Sequence, residues 1–251
     1  MKNNFGIIDQ VIRSWAIVKK DMKIYYSKGP VVLMGILFPA FLFLAFAFGR
    51  NMSAITLMPG LIAISVFFTC SAIAPITMPW ETQARTLERL ASAPLAVWTI
   101  LFGDMVASML TGIIISIVPI IIALAIGTTI TNPLLLVIAI ILGAMCFAIL
   151  SVIFSAPPKN APQYSQMISS FVKFPLIFIS GVFVPLNELP GFARGISYIS
   201  PVTYFTDIVR YATGGTNYLP VIADYLVIIG FTVILWLAAI MLHNRTLPKR
   251  I

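Results

Sequence analysis

The chain has 251 residues, of which 60% are hydrophobic and only 10% charged, with a net charge of +8 and a mean hydropathy of +1.02. Soluble domains carry about a quarter charged residues, so a water-soluble globule is excluded. A single histidine excludes an HExxH zinc protease, and the lack of a GxxxxGK[ST] run leaves the chain without a P-loop of its own to bind ATP.

Residues 5–26 read as an amphipathic helix. Ile8, Ile12, Trp15, Val18 and Met22 share one face at helical spacing, and Asp9, Arg13, Lys20 and Lys23 lie away from it. Such a helix lies in the interface plane with its basic face toward anionic lipid heads. About 30 mixed residues precede the first long apolar run, which is not the pattern of a secretory signal.

A membrane span needs roughly 20 mostly apolar residues. Six runs meet that requirement: Val31–Phe48, Leu57–Pro79, Trp98–Ile126, Pro133–Phe154, Gln163–Val184 and Val221–Leu242. The expected fold is an all-α integral membrane protein, a single transmembrane domain over residues 1–251. Six spans put both termini on one side. That side holds Lys2, Arg13, Lys19, Lys20, Lys23, Lys28, Arg85, Arg89, Lys159, Arg245, Lys249 and Arg250, against Arg50, Arg194 and Arg210 on the other. The positive-inside rule makes the termini cytoplasmic in a plasma membrane. Topology and anionic lipid account for the basic excess without nucleic acid.

Between the second and third spans stands Glu81–Pro94, a short charged cassette bracketed by Trp80 and Trp98. Read as a helix over Thr82–Ala93, it puts Ala84, Leu87 and Ala91 on one face with Leu90 at the edge. Glu81 and Arg85 form an i,i+4 pair, and Arg85 and Glu88 an i,i+3 pair. Pro94 stops it. Asp104 opens the third span nearby and could tie the cassette to the membrane.

The fifth span is diluted by Gln163, Ser165, Gln166, Ser169, Ser170 and Lys173. Lys173 lies about nine residues in, roughly 13 Å deep at 1.5 Å per residue. Either it faces a wet cavity between two copies of the chain, or the span starts late and leaves it near the inner interface. Residues 185–215 repeat Leu186, Leu189, Phe192, Ile196 and Ile199 at helical spacing but are broken by Pro185, Pro190, Gly191, Gly195 and Pro201. Two short helices dipping into the outer leaflet are expected there, with Asp207 and Arg210 as a structural i,i+3 ion pair. Cys70 and Cys146, both inside apolar runs, read as small hydrophobes, and His243 reads as structural.

The run E-T-Q-A-R-T-L-E-R-L-A-S-A-P resembles the cytoplasmic loop of type-2 ABC exporter permeases, through Glu81, Thr86-Leu87-Glu88, Leu90 and Ala93-Pro94. A second stretch is similar to the family's Ser-Gly…Pro…Leu-Pro and Pro-x-x-Tyr…Arg segments. Here these are Ser180-Gly181, Pro185, Leu189-Pro190, Pro201, Tyr204 and Arg210. The similarity covers essentially the whole chain and is closest to the drug and antibiotic exporter branch.

The resemblance implies a half-transporter that pairs with a second permease copy, most simply as a homodimer, and docks on two copies of a separate ABC ATPase subunit. ATP and Mg would be bound by that subunit, with no cofactor, metal or catalytic residue in this chain. Residues 81–94 would be the coupling helix, with Glu81, Arg85, Thr86, Leu87, Glu88, Arg89 and Leu90 meeting the ATPase, and residues 5–26 the connecting helix. Lys173, Ser180 and Gly181 would line the substrate path under a lid carrying Pro185, Pro190, Pro201, Tyr204, Asp207 and Arg210. The cargo would be a drug, an antibiotic or a lipid-like molecule. The alternatives are export of a lipid-linked glycan on the same architecture, or an ATP-independent secondary transporter, although the chain shows no repeated halves. A lipid-modifying membrane enzyme is disfavoured, because it would need clustered acids or histidines in the spans.

Overall fold

Prolines cut this chain into its elements, and apolar length decides which elements can cross a bilayer. The computed structural model describes residues 6–24, 33, 37–50, 54–93, 95–157 and 161–249. Residues 5, 25–26, 31–32 and 34–36, together with Pro94, lie outside the described residues, as do Lys2, Lys28, Lys159 and Arg250. The described chain is helical throughout, without a strand.

Helix α1 (Ile7–Ile24) is followed by α2 (Phe38–Arg50), α3 (Ala54–Ala72) and α4 (Ala74–Gln83). Then come the short α5 (Thr86–Ser92) and the long α6 (Val97–Ala125) and α7 (Pro133–Phe154). Helix α8 (Pro162–Phe178) leads to a 3₁₀ turn at Leu186–Glu188, then α9 (Gly191–Ser197), α10 (Pro201–Ala212) and α11 (Val221–Thr246). Prolines occupy the first turn of α4, α7, α8 and α10, where the missing N–H costs nothing.

Among the described residues four helical stretches are long and apolar enough to span: Leu57–Gln83, Val97–Ala125, Pro133–Phe154 and Val221–Thr246. That is fewer than the six runs expected from the sequence. The first run is described as helix only from Phe38 on. The fifth ends at Phe178 instead of Val184, a helix of 17 residues, or about 25 Å. The chain turns at Ile179–Gly181, with Gly181 at φ 75°, a conformation that glycine adopts without strain.

The α3–α4 rod is broken at Ile73. Pro75 has no N–H, so the Ser71 carbonyl loses its helical donor. The N–H of Ala74 leaves the helical pattern as well and donates instead to Ser151 Oγ of α7 at 3.0 Å. Around this rod α6, α7, α8 and α10 pack closely. Phe67 meets Phe147 edge-on at 5.0 Å, and Phe147 meets Phe205 at 5.4 Å. Gly112 lets α6 touch α3, since a Cβ there would lie 1.9 Å from Cys70 Sγ. Cys70 and Cys146 are buried free thiols, and buried His243 ties α11 to Ser155 at 3.3 Å.

The outward faces of α6, α7 and α11 expose Ile117, Ile121, Leu134, Val137, Leu226, Ile234 and Met241. A continuous apolar surface of this kind is covered by lipid or protein.

Candidate functional site

The cassette is two pieces. Helix α4 carries Glu81, Thr82 and Gln83. A turn follows at Ala84 and Arg85, with Arg85 in the left-handed region at φ 54°, and α5 then starts afresh at Thr86. The continuous Thr82–Ala93 helix is therefore replaced by a bent pair. Arg85 has no β-branch to make that conformation prohibitive, and Thr86 Oγ1 steadies the turn by donating to the Glu81 carbonyl at 3.2 Å.

Within α5, Leu87 is 1% exposed and Leu90 half-buried, while Glu88, Arg89 and Ser92 face outward with Arg85. The apolar underside and charged top are as expected. Ala84 is exposed outside the helix, and the side chain of Ala91 lies outside the described residues.

Glu81 departs most from expectation. It is 1% exposed and turned inward, where it accepts a hydrogen bond and ion pair from Lys20 of α1. Lys20 also pairs with Asp21 at 3.1 Å. Neither of the pairs expected of Arg85, with Glu81 or with Glu88, is formed. Asp104 of α6, 3% exposed, completes the cluster beside Asp21 and Glu81. Three acids thus surround one ammonium where α1, α4 and α6 meet. Burial works against the charge of Lys20. The carboxylates of Asp21, Glu81 and Asp104 outweigh it and hold the ammonium above its ordinary range. Burial pushes Asp21 up, with Lys20 opposing.

The same junction has a neutral clamp. Gln10 Oε1 accepts from Thr99 Oγ1 at 2.6 Å and from the Ala96 N–H at 3.3 Å. Gly103 admits Ile17, since a Cβ there would sit 2.8 Å from it. With Gln10, Ser14, Ile17, Val18 and Asp21 facing inward, Ile8, Val11, Ile12 and Trp15 remain outside. Val18 therefore belongs to the packed face, with half-buried Met22 beside it, and the other three expected apolar positions, Ile8, Ile12 and Trp15, form the free one. Sequence reasoning missed Lys20, Asp21 and Gln10 as docking residues. The signal was available for Gln10 and Asp21, which share one stripe of α1 with Ile17 at i, i+7, i+11 spacing.

At the far end of the α3–α4 rod the remaining predicted residues divide. Lys173 is 1% exposed within one protomer, without a hydrogen-bond partner for Nζ, and lies 6.0 Å from the Phe68 ring centroid. It faces the protomer's interior, so the placement in a cavity between two copies does not hold. Ser169 and Ser165, one and two turns before it, are equally buried. Ser180 and Gly181 form a turn instead of a helix–helix contact. Ser180 Oγ donates to the Ile177 carbonyl at 2.7 Å, and Gly181 accepts from Arg210 Nη2 at 3.0 Å.

The expected Asp207–Arg210 pair is absent. Asp207 accepts instead from the backbone N–H groups of Tyr218 and Leu219, both at 2.8 Å. Tyr204 donates to the Tyr198 carbonyl at 2.9 Å, fastening α10 to α9. Pro185 precedes the 3₁₀ turn, Pro190 caps α9 and Pro201 opens α10. Two short helices are thus present as expected. The exposed Phe192 and Ile196 of α9, with Ile199 in the turn after it, form their apolar outer face.

Comparison with known proteins agrees with this architecture. The family model described as ABC-2 type transporter matches residues 13–213. The chain is 26% identical over 190 residues to the inner membrane transport permease YadH of Escherichia coli K12, covering 75% of this chain and 74% of that protein. It is 26% identical over 158 residues to the probable multidrug ABC transporter permease YbhR of the same organism, covering 61% of this chain and 42% of that one. Nodulation protein J of Rhizobium meliloti is 34% identical over 73 residues, 28% of this chain and 27% of its own length. The chain belongs to the ABC-2 type transporter family, as a membrane permease of an ABC transporter.

Proposed function

We propose that this chain is the permease half of an ABC exporter, and that α5 is the element through which a separate ATPase subunit drives it. One observation carries the reading. A short helix with a charged outer face is seated on the protein by Leu87 and joined to the α3–α4 rod by a single turn. Behind that turn, Lys20–Glu81 links the rod to α1. A push on Glu88 and Arg89 has no slack to absorb it. It reaches the rod through the Thr86–Glu81 bond and α1 through Lys20.

Two copies of the chain would assemble with two ATPase subunits, using part of the apolar surface of the long helices for the contact between permeases. Both termini and α5 would face the cytoplasm of a plasma membrane. A hydrophobic or amphipathic small molecule fits the apolar helices better than a polymer.

The test is reconstitution with the cognate ATPase. Glu88→Ala and Arg89→Glu should leave the permease folded and inserted while uncoupling ATP hydrolysis from transport. If both variants assemble, hydrolyse and transport as the parent does, α5 is not the coupling element.

A further inference from the structure

At the end of the α3–α4 rod opposite α5, a cavity of about 310 Å³ is lined by Pro59, Pro185, Asn187, Arg210, Thr216 and Tyr218, among others. Its walls are pinned from behind. Arg194 spends its guanidinium on the carbonyls of Leu186 at 3.1 Å, Asn187 at 3.0 Å and Leu189 at 3.4 Å. It also lies 5.4 Å from the centroid of the Tyr218 ring. Asp207 holds the Tyr218–Leu219 backbone, and Thr131 Oγ1 donates to the Ala212 carbonyl at 3.1 Å.

Arg210 is different. A guanidinium has five donors in a rigid fork, and among the described residues it makes one bond, to Gly181. Among the described residues no carboxylate stands within ion-pair distance of it. The acids that act on it, Asp207 and Glu188, do so at longer range, and both oxygens of Asp207 accept from backbone N–H groups. Gly215 makes room for this placement, since a Cβ there would lie 2.7 Å from Arg210 Cγ. The result is a walled cavity with one half-buried cation whose fork is mostly unspent. Such a fork matches two oxygens of one tetrahedral anion.

We propose that this cavity binds the phosphate group of an anionic molecule, with Arg210 gripping two of its oxygens. The phosphate comes either from a free ion or small ester, or from a phospholipid headgroup whose chains run out along the apolar helices. The inference does not rest on the transport reading, because no residue of α5 lines the cavity.

The full-length protein in neutral detergent would be heated at constant ionic strength with inorganic phosphate, glycerol 3-phosphate or dioctanoyl phosphatidylglycerol. Dioctanoylglycerol serves as the tail-only control. A ligand that binds the folded state raises the unfolding temperature in proportion to its occupancy. Saturable stabilisation by at least one phosphate compound and none by dioctanoylglycerol is expected. A rise with phosphatidylglycerol alone makes the source a headgroup, and a rise with the two water-soluble compounds makes it a free phosphate.

Arg210→Gln could fail to fold by losing the Gly181 tie, so the decisive variant is Thr216→Glu. It sits on the exposed rim and offers Arg210 a carboxylate in place. Apparent affinity should fall about tenfold or more while the ligand-free unfolding temperature holds, and Arg210→Lys should weaken binding by losing the fork. No saturable stabilisation by any of the three phosphates, or stabilisation unchanged in Thr216→Glu, overturns the proposal.

Discussion

Replacing Lys20 by Met removes the one cation from a cluster of three acids. Glu81 and Asp21 each expose only 2% of their side chains, so their carboxylates cannot recover the loss from water. Breaking a buried pair from one side costs about 3–5 kcal/mol. The Lys20 side chain is 26% exposed, which moves the expectation to the lower end, about 3 kcal/mol. In a chain of this size 1 kcal/mol shifts the unfolding temperature by about 2–4 °C, so Lys20→Met should unfold about 6–12 °C below the parent.

Glu81→Gln should cost less, because Lys20 keeps Asp21 and one buried charge is gone. The double variant should recover part of the loss, with a coupling of roughly 0.5–3 kcal/mol. The assay is thermal unfolding in detergent followed by tryptophan fluorescence, for which Trp15 and Trp80 lie close to the junction in sequence. If Lys20→Met unfolds with the parent, or if the two changes simply add, the cluster does not hold α1 to the rod. The folded-state pKa of Lys20 is raised, so its contribution is complete below the ordinary lysine value near 10.4 and fades only above it. The difference between parent and Lys20→Met should therefore stay constant from pH 7 to about pH 9.

Leu87→Ala should loosen α5 at a cost of about 2–4 kcal/mol of local packing, read as weaker ATPase association with little change in global unfolding. Gly112→Val should destabilise by 1–3 kcal/mol or more, because its side chain enters the space of Cys70; an unchanged unfolding temperature would contradict the α3–α6 contact. Lys173→Met should raise the unfolding temperature, since a buried ammonium without a partner gives way to an apolar side chain of similar length. Lys173→Cys should resist a water-soluble maleimide in the folded protein, and rapid labelling would show that the site is wet.

Much of the fold is legible in the sequence because membrane helices announce themselves by length and apolarity. Leu57–Pro79, Trp98–Ile126, Pro133–Phe154 and Val221–Leu242 each correspond to a spanning stretch within a few residues. The fifth run misleads because its apolar character continues through Val182, Phe183 and Val184, whereas the backbone turns at Gly181; hydropathy does not register φ. The charged top of α5 can be read from periodicity. The inward turn of Glu81 cannot, because its partner lies 61 residues earlier and nothing local marks it. Asp207 and Arg210 have the spacing of a pair, yet backbone groups compete for both: Tyr218 and Leu219 for the acid, Gly181 for the base. Such competitors come from loops whose path is set only by the packed structure.

The break at Ile73 gives the rod an elbow near its middle, about 40 Å of helix from Leu57 to Gln83 at 1.5 Å per residue. Helices flex where their hydrogen-bond ladder is already interrupted, and here the orphaned N–H of Ala74 is held by Ser151. A displacement entering at α5 therefore need not tilt the whole rod. It can swing the α4 arm about a pivot fastened to α7, with the α3 arm and the chamber at its far end keeping their shape. Ser151 is one tie of that pivot, beside the packing of α4 on α7 and α8, and the two ends of the protein are mechanically separable to the extent that these contacts yield.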